Sequence, residues 1–218
     1  MLDQLITHCP HMTTCRLSVT FDSLPLIARW GPTLVTAHLD VCDSYDEKVT
    51  DRIQMCRDLY KAGSALIVCT HLEIIVNLWA LGASFSCGVP NLIHLHLELS
   101  IDLCEEYEWP SNPASLDKFS LQVCSTRLTT LVLTSNMTTQ HNLHVLLRMC
   151  KPAASSIHTV INLLDWPMDT SKTWRTILQH LPCVRHVVAG WPRSVSDQRR
   201  ILDKVVGNRA PLIVTLSD

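Results

Sequence analysis

One short pattern recurs along this chain and limits what it can fold into. It is an apolar residue, two of any kind, a second apolar residue, one of any kind, and a third apolar residue. The strongest copies are Met12-Cys15-Leu17, Leu34-Ala37-Leu39, Leu92-Leu95-Leu97 and Leu128-Leu131-Leu133, each closed three positions later by Thr20, Cys42, Ser100 or Asn136. Looser copies are Ile157-Val160-Asn162, closed by Asp165, and Val184-Val187-Ala189, closed by Pro192; Leu212 opens a partial one. A proline stands two residues ahead of the first apolar position at Pro10, Pro32, Pro90 and Pro182. The starts at 128, 157, 184 and 212 are separated by 29, 27 and 28 residues. The interval from 34 to 92 is 58, twice 29, which predicts a degenerate copy near residues 63–72. From 92 to 128 the spacing is 36, and Leu116-Phe119-Leu121-Cys124 also fits the template only 12 residues before the next start. Two full repeats cannot overlap so closely, so one of them is an insertion or a misreading.

Helical signals lie between these strand-like pieces. Ser44-x-x-Glu47 is a capping-box pattern, after which Val49, Ile53, Cys56 and Tyr60 share a helical face that Gly63 is placed to end. Trp174, Ile177, Leu178 and Leu181 form a stripe ending at Pro182. Leu143, Leu146, Leu147 and Cys150 do so before Pro152, and Ile201, Leu202 and Val205 before Pro211. Such a unit cannot bury its apolar side alone, so neighbours must stack into a continuous core. The first, fourth and sixth template positions then point inward, and the alternating strand residues form one exposed face. The ninth position suits a side chain that satisfies turn backbone groups.

The strings LIHLHLELS and LTTLVLTSN resemble leucine-rich repeats, and the period of 27 to 29 with a helix per unit is similar to the helical, horseshoe-forming subclass. The proline junction, with Cys9 before Pro10, further resembles the repeat region of fungal F-box proteins. The expected fold is therefore an α/β, leucine-rich-repeat-like solenoid, with a parallel sheet on the concave side and helices on the convex side. Residues 1–218 are expected to form one such domain of about seven or eight irregular repeats. The chain begins in a repeat helix at Leu2-Leu5-Ile6 and ends in mid-strand at 212–218, so no F-box module and no full terminal caps are expected.

Composition narrows the function. The chain is 47% hydrophobic and 17% charged, which excludes intrinsic disorder. A net charge of −2 leaves no broad field for nucleic acid. Ten cysteines without a C-x-x-C pair, and no leader-like N-terminus, read as reduced thiols used as small hydrophobes in a cytoplasmic or nuclear protein. The charge-free run 74–90 holds 17 residues but has no basic flank, so a buried segment is expected rather than a membrane span.

Chemistry is sparse. No phosphate loop, dinucleotide motif, H-E-x-x-H or G-x-S-x-G is present. Glu105, Glu106 and Glu108 read as a solvated loop, and Arg193, Arg199, Arg200, Lys204 and Arg209 as the wet side of a helix. Trp174 reads as core, and Trp109, Trp166 and Trp191, each before a proline, as loop plugs. His94, His96 and Glu98 alternate on one strand, but the outer two positions stand ~13 Å apart. A further metal ligand would have to come from a neighbouring repeat, where none is evident. The expectation is non-catalytic protein recognition by Arg16, Thr36, His38, Asp40, His94, His96, Glu98 and Thr130, with no cofactor, no metal and no small-molecule ligand. The F-box resemblance implies substrate capture for ubiquitin ligation. Two other readings are a structural fragment without its own activity and a metal-dependent enzyme using His94 and His96.

Overall fold

The computed structural model describes residues 2–20, 23–42, 58, 60–76, 88–99, 125–135, 143, 147, 150–164, 170–189, 200, 202–205 and 213–216. A short helix α1 (Leu2–His8) leads into β1 (Thr14–Thr20), followed by β2 (Thr36–Cys42), β3 (His71–Val76), β4 (His94–Leu99) and β5 (Thr130–Ser135). Strands β6 (Thr159–Leu164), β7 (His186–Ala189) and β8 (Ile213–Leu216) complete an open sheet. Its strand order is the chain order, and every neighbouring pair is parallel. Parallel neighbours need a connection that returns to the starting edge. The described connecting pieces include α2 (Leu24–Ile27) with a 3₁₀ turn to Trp30, a helical stretch at 60–65, a 3₁₀ turn at Lys151–Ala153, and α3 (Thr170–His180).

Each strand is entered in the same way. The carbonyl just ahead of one strand accepts two N–H groups from the start of the next: Thr13 from Val35 and Thr36, Val35 from Thr70 and His71, Thr70 from Ile93 and His94. Ile93, Thr129 and His158 repeat this with the following strands, and Arg185 accepts from Ile213. One backbone solution is thus used along the whole sheet, although the side chains around it differ. Pro10, Pro32, Pro90 and Pro182 occupy the turn that precedes it, where a fixed φ is useful and no N–H is required.

Inward positions follow the template. Ala37, Leu39, Leu72, Ile74, Leu95, Leu97, Leu131 and Leu133 are buried in one cluster with Ile27, Trp30, Leu66, Trp174, Ile177 and Leu181 from the connections. Each fully buried Leu or Ile contributes about 1.5–3 kcal/mol. Trp30, which the pattern did not single out, is wholly buried, and its indole N–H donates to the Cys9 carbonyl at 2.8 Å. Two glycines mark where successive connections touch. A Cβ at Gly31 would stand 2.0 Å from the Ala65 carbonyl oxygen, and one at Gly88 would stand 2.6 Å from that of Tyr60. Only glycine permits so close a backbone approach.

Several expectations need correction. The degenerate copy is Cys69-Leu72-Ile74, and it divides the 58-residue interval unequally: Thr36 to His71 is 35 residues and His71 to His94 is 23. Connection length is free as long as both ends meet the ladder, so an even period was not required. Ile67 fills the turn position that proline holds elsewhere. Gly63 does not end its helix, which continues through it to Ala65. Strand β4 pairs directly with β5, so Leu128-Leu131-Leu133 is the true copy; Leu116–Cys124 lies outside the described residues. Also outside them are the Ser44-Glu47 box, the Glu105–Glu108 cluster, Arg193, Arg199, Arg209, Trp109, Trp166 and Trp191. Of the expected stripe on α3, Trp174, Ile177 and Leu178 are buried as anticipated, as is Leu181 just beyond it.

Candidate functional site

The side of the sheet opposite the core carries every second strand residue, and parallel register sets these side chains in rows across the strands. The row at strand position one reads Thr14, Thr36, His71, His94, Thr130, Thr159, His186, Ile213. The row two residues on reads Arg16, His38, Glu73, His96, Val132, Ile161, Val188, Thr215. A third row begins Ser18, Asp40, Ile75, Glu98, Thr134. Adjacent strands stand ~4.8 Å apart, so direct neighbours in a row are within contact distance.

Two of the eight expected recognition residues, His38 and His96, gather around a side chain absent from that set. The Glu73 carboxylate lies between two imidazoles, with His38 Nδ1 at 2.8 Å from Oε2 and His96 Nδ1 at 3.5 Å from Oε1. His96 Nε2 meets the Thr134 hydroxyl at 2.9 Å. One row over, the rings of His71 and His94 stack at a centroid separation of 5.6 Å and an interplanar angle of 20°. His71 Nδ1 meets the Thr70 hydroxyl at 2.9 Å. Asp40 accepts a hydrogen bond from Ser18 at 3.2 Å. Arg16 stands opposite His38 in register, Thr36 opposite His71 and Thr130 opposite His94. Glu98 is placed by register between Ile75 and Thr134, and its side chain lies outside the described residues.

The neighbouring strand does supply an acidic side chain to the second row, Glu73, which the sequence pattern did not single out. His71 and Glu73 were missed because their strand lacks the proline and begins the template with Cys69. Admitting cysteine at the first template position, as Cys15 is at the second, exposes Cys69-x-x-Leu72-x-Ile74, and with it both outward residues. Even so, no group of three or more His, Cys, Asp or Glu among the described residues is placed to hold a metal ion.

The electrostatics follow from burial. His94 is held below the ordinary histidine range by desolvation first, then by His71 and His96, with Glu73 pulling the other way. On the inner face, burial pushes the Cys15 thiol up to about 11 and that of Cys69 to about 12. Both are therefore thiols at neutral pH and poor nucleophiles.

Thr134, His96 and Glu73 follow the order hydroxyl, imidazole, carboxylate. In acyl transfer that order also needs N–H donors aimed at a developing oxyanion. Strand N–H groups lie in the plane of the sheet and point into the ladder, so β4 and β5 offer none to this face. The arrangement instead orients imidazoles. With the His96 proton on Nδ1, Nε2 accepts from Thr134. With both nitrogens protonated, the Thr134 hydroxyl is released toward the Leu97 carbonyl, 3.4 Å away.

No protein-family model matches the chain, and a comparison with curated proteins gives no match. Among the described residues, no helix is long and apolar enough to cross a membrane.

Proposed function

We propose that this chain is a leucine-rich-repeat-like solenoid, strands concave and helices convex, whose strand face recognises another protein without catalysing a reaction. The observation that carries this reading is the outward set of the first four strands, Arg16, His38, Asp40, Glu73 and His96. These polar side chains stand on a rigid parallel ladder whose folding rests on the opposite face. Residues placed on regular elements and left out of the core are suited to recognition, since their positions cost no further ordering on binding. The sequential, all-parallel strand order supports the solenoid. The F-box resemblance makes substrate capture for ubiquitin ligation the biological context, in the cytoplasm or nucleus, with neither nucleic acid nor a small molecule as ligand.

The test is capture at pH 5.5 and at pH 7.5 on the immobilised chain, followed by direct binding of each retained protein in purified form. A Glu73→Lys/His96→Glu variant, shown to be folded by circular dichroism, should lose its partners. A Lys61→Glu variant on an exposed connection should keep them. Identical partners for all three proteins would remove the strand face from the proposal. Small-angle scattering of the purified chain tests the architecture, and a profile without elongation would overturn the solenoid.

A further inference from the structure

We infer that the β1–β5 part of the outward face is a protonation-gated docking surface for an acidic polypeptide segment, which it holds when its imidazoles are charged and releases when they are neutral. This deepens the recognition proposed above and rests on it.

The charge on this part of the face is unmatched. Among the described strand residues, the groups on this part of the face that carry or change charge between pH 5 and 8 are Arg16 on β1, His38 and Asp40 on β2, His71 and Glu73 on β3, and His94, His96 and, by register, Glu98 on β4; Cys42, in the same alternation on β2, is a thiol in this range. Strand β5 presents Thr130, Val132 and Thr134, none of which titrates. With neutral imidazoles, one arginine and three carboxylates leave this surface at −2; with all four imidazoles charged it stands at +2. Histidine is the side chain that makes this change between pH 5 and 8.

The new charge has little internal compensation. Glu73 already serves both His38 and His96, and Asp40 already accepts from Ser18. Among the described residues, neither His71 nor His94 has a carboxylate within ion-pair distance, and their rings face each other at 5.6 Å. Charging both places like charges together on a half-buried surface; burial first, and then His71 and His96, make His94 resist protonation. Carboxylates supplied from outside relieve that repulsion, so binding must take up protons. The chemistry favours a polypeptide over a nucleic acid, because the face has a single permanent cation, Arg16, and no Phe, Tyr or Trp in its β1–β5 rows on which a base could stack.

The experiment uses the full chain and a fluorescent peptide of alternating glutamate and serine, whose carboxylates stay ionised at pH 5.5. Anisotropy titrations at pH 5.5 and 7.5 should show about tenfold or greater tightening in acid. His71→Gln/His94→Gln should remove most of that difference, whereas Glu73→Gln, which deletes the internal competitor, should strengthen binding at both pH values. Should the double variant fail to fold by circular dichroism, His71→Gln alone, at an exposed position, gives the same reading. Equal affinity at the two pH values overturns the inference, as does an unchanged pH dependence in the folded histidine variant. Tighter acid-dependent binding of an oligothymidylate than of the peptide overturns it in favour of nucleic acid. Partner capture at both pH values is a separate readout: partners retained equally at pH 5.5 and 7.5 overturn the gate and leave recognition standing, and partners retained at neither overturn recognition.

Discussion

The two ends of the outward face share one backbone and differ in almost every side chain. Along the row through Glu73, strands β1 to β4 present Arg16, His38, Glu73 and His96, whereas β5 to β7 present Val132, Ile161 and Val188. The pairing is parallel and in register throughout, and the bracket of hydrogen bonds ahead of each strand is the same at both ends. The backbone pairing is therefore the same whatever this face displays, and the contrast between a titratable part and an apolar part lies in the side chains. The boundary is sharp: His96 and Val132 are direct register partners. Val132 is only 6% exposed although it lies on the outward side, because His96 and Ile161 flank it on either strand.

The strongest way to break this contrast is to move the boundary by one strand. Val132→Glu would place a carboxylate where an aliphatic side chain is almost covered, and should cost about 2 kcal/mol of stability at pH 7.5. Urea unfolding at pH 7.5 and 5.5 measures this. The loss should be smaller at pH 5.5, where burial lets the new carboxyl group take up a proton more readily. An unchanged midpoint at pH 7.5 would mean that the apolar part is as tolerant as the polar one.

Next in size is the pH dependence of the titratable part. Because His94 has a lower pKa folded than unfolded, the unfolded chain binds more protons at mildly acidic pH. The corresponding stability is complete above the unfolded histidine value of ~6.5 and is lost as pH falls through the folded value. The melting temperature should accordingly drop between pH 7.5 and 5.5, and His94→Gln should flatten that slope. A slope unaltered by the substitution would show that the stacked pair is not its source.

The smallest effect sharpens the comparison from the other end. Ile213 closes the first row on β8 and is 64% exposed. Ile213→Ser should change stability by no more than about 0.5 kcal/mol in a denaturant titration. A larger loss would reveal that this exposed apolar residue has a packing role.

Much of the fold was legible because it is written locally. Leu34-Ala37-Leu39, Leu92-Leu95-Leu97 and Leu128-Leu131-Leu133 announce a strand and its inward side within six residues, and α3 announces itself by the spacing of Trp174, Ile177 and Leu178. Where the local pattern weakened, the reading weakened with it. The strand of Glu73 was placed only approximately, since Cys69 stands for a leucine and Ile67 for a proline. That single gap hid the centre of the candidate site, although His38, His94 and His96 on its flanks were identified.

By itself the sequence determined which residues turn inward, because alternation along a strand is a property of covalent geometry and operates within a few residues. Only the tertiary structure decided which outward residues meet. His38, Glu73 and His96 lie 35 and 23 residues apart along the chain, and they become neighbours through the register of three strands. That register is set by where each connection rejoins the ladder, and connection length leaves no periodic trace for a local pattern to reveal.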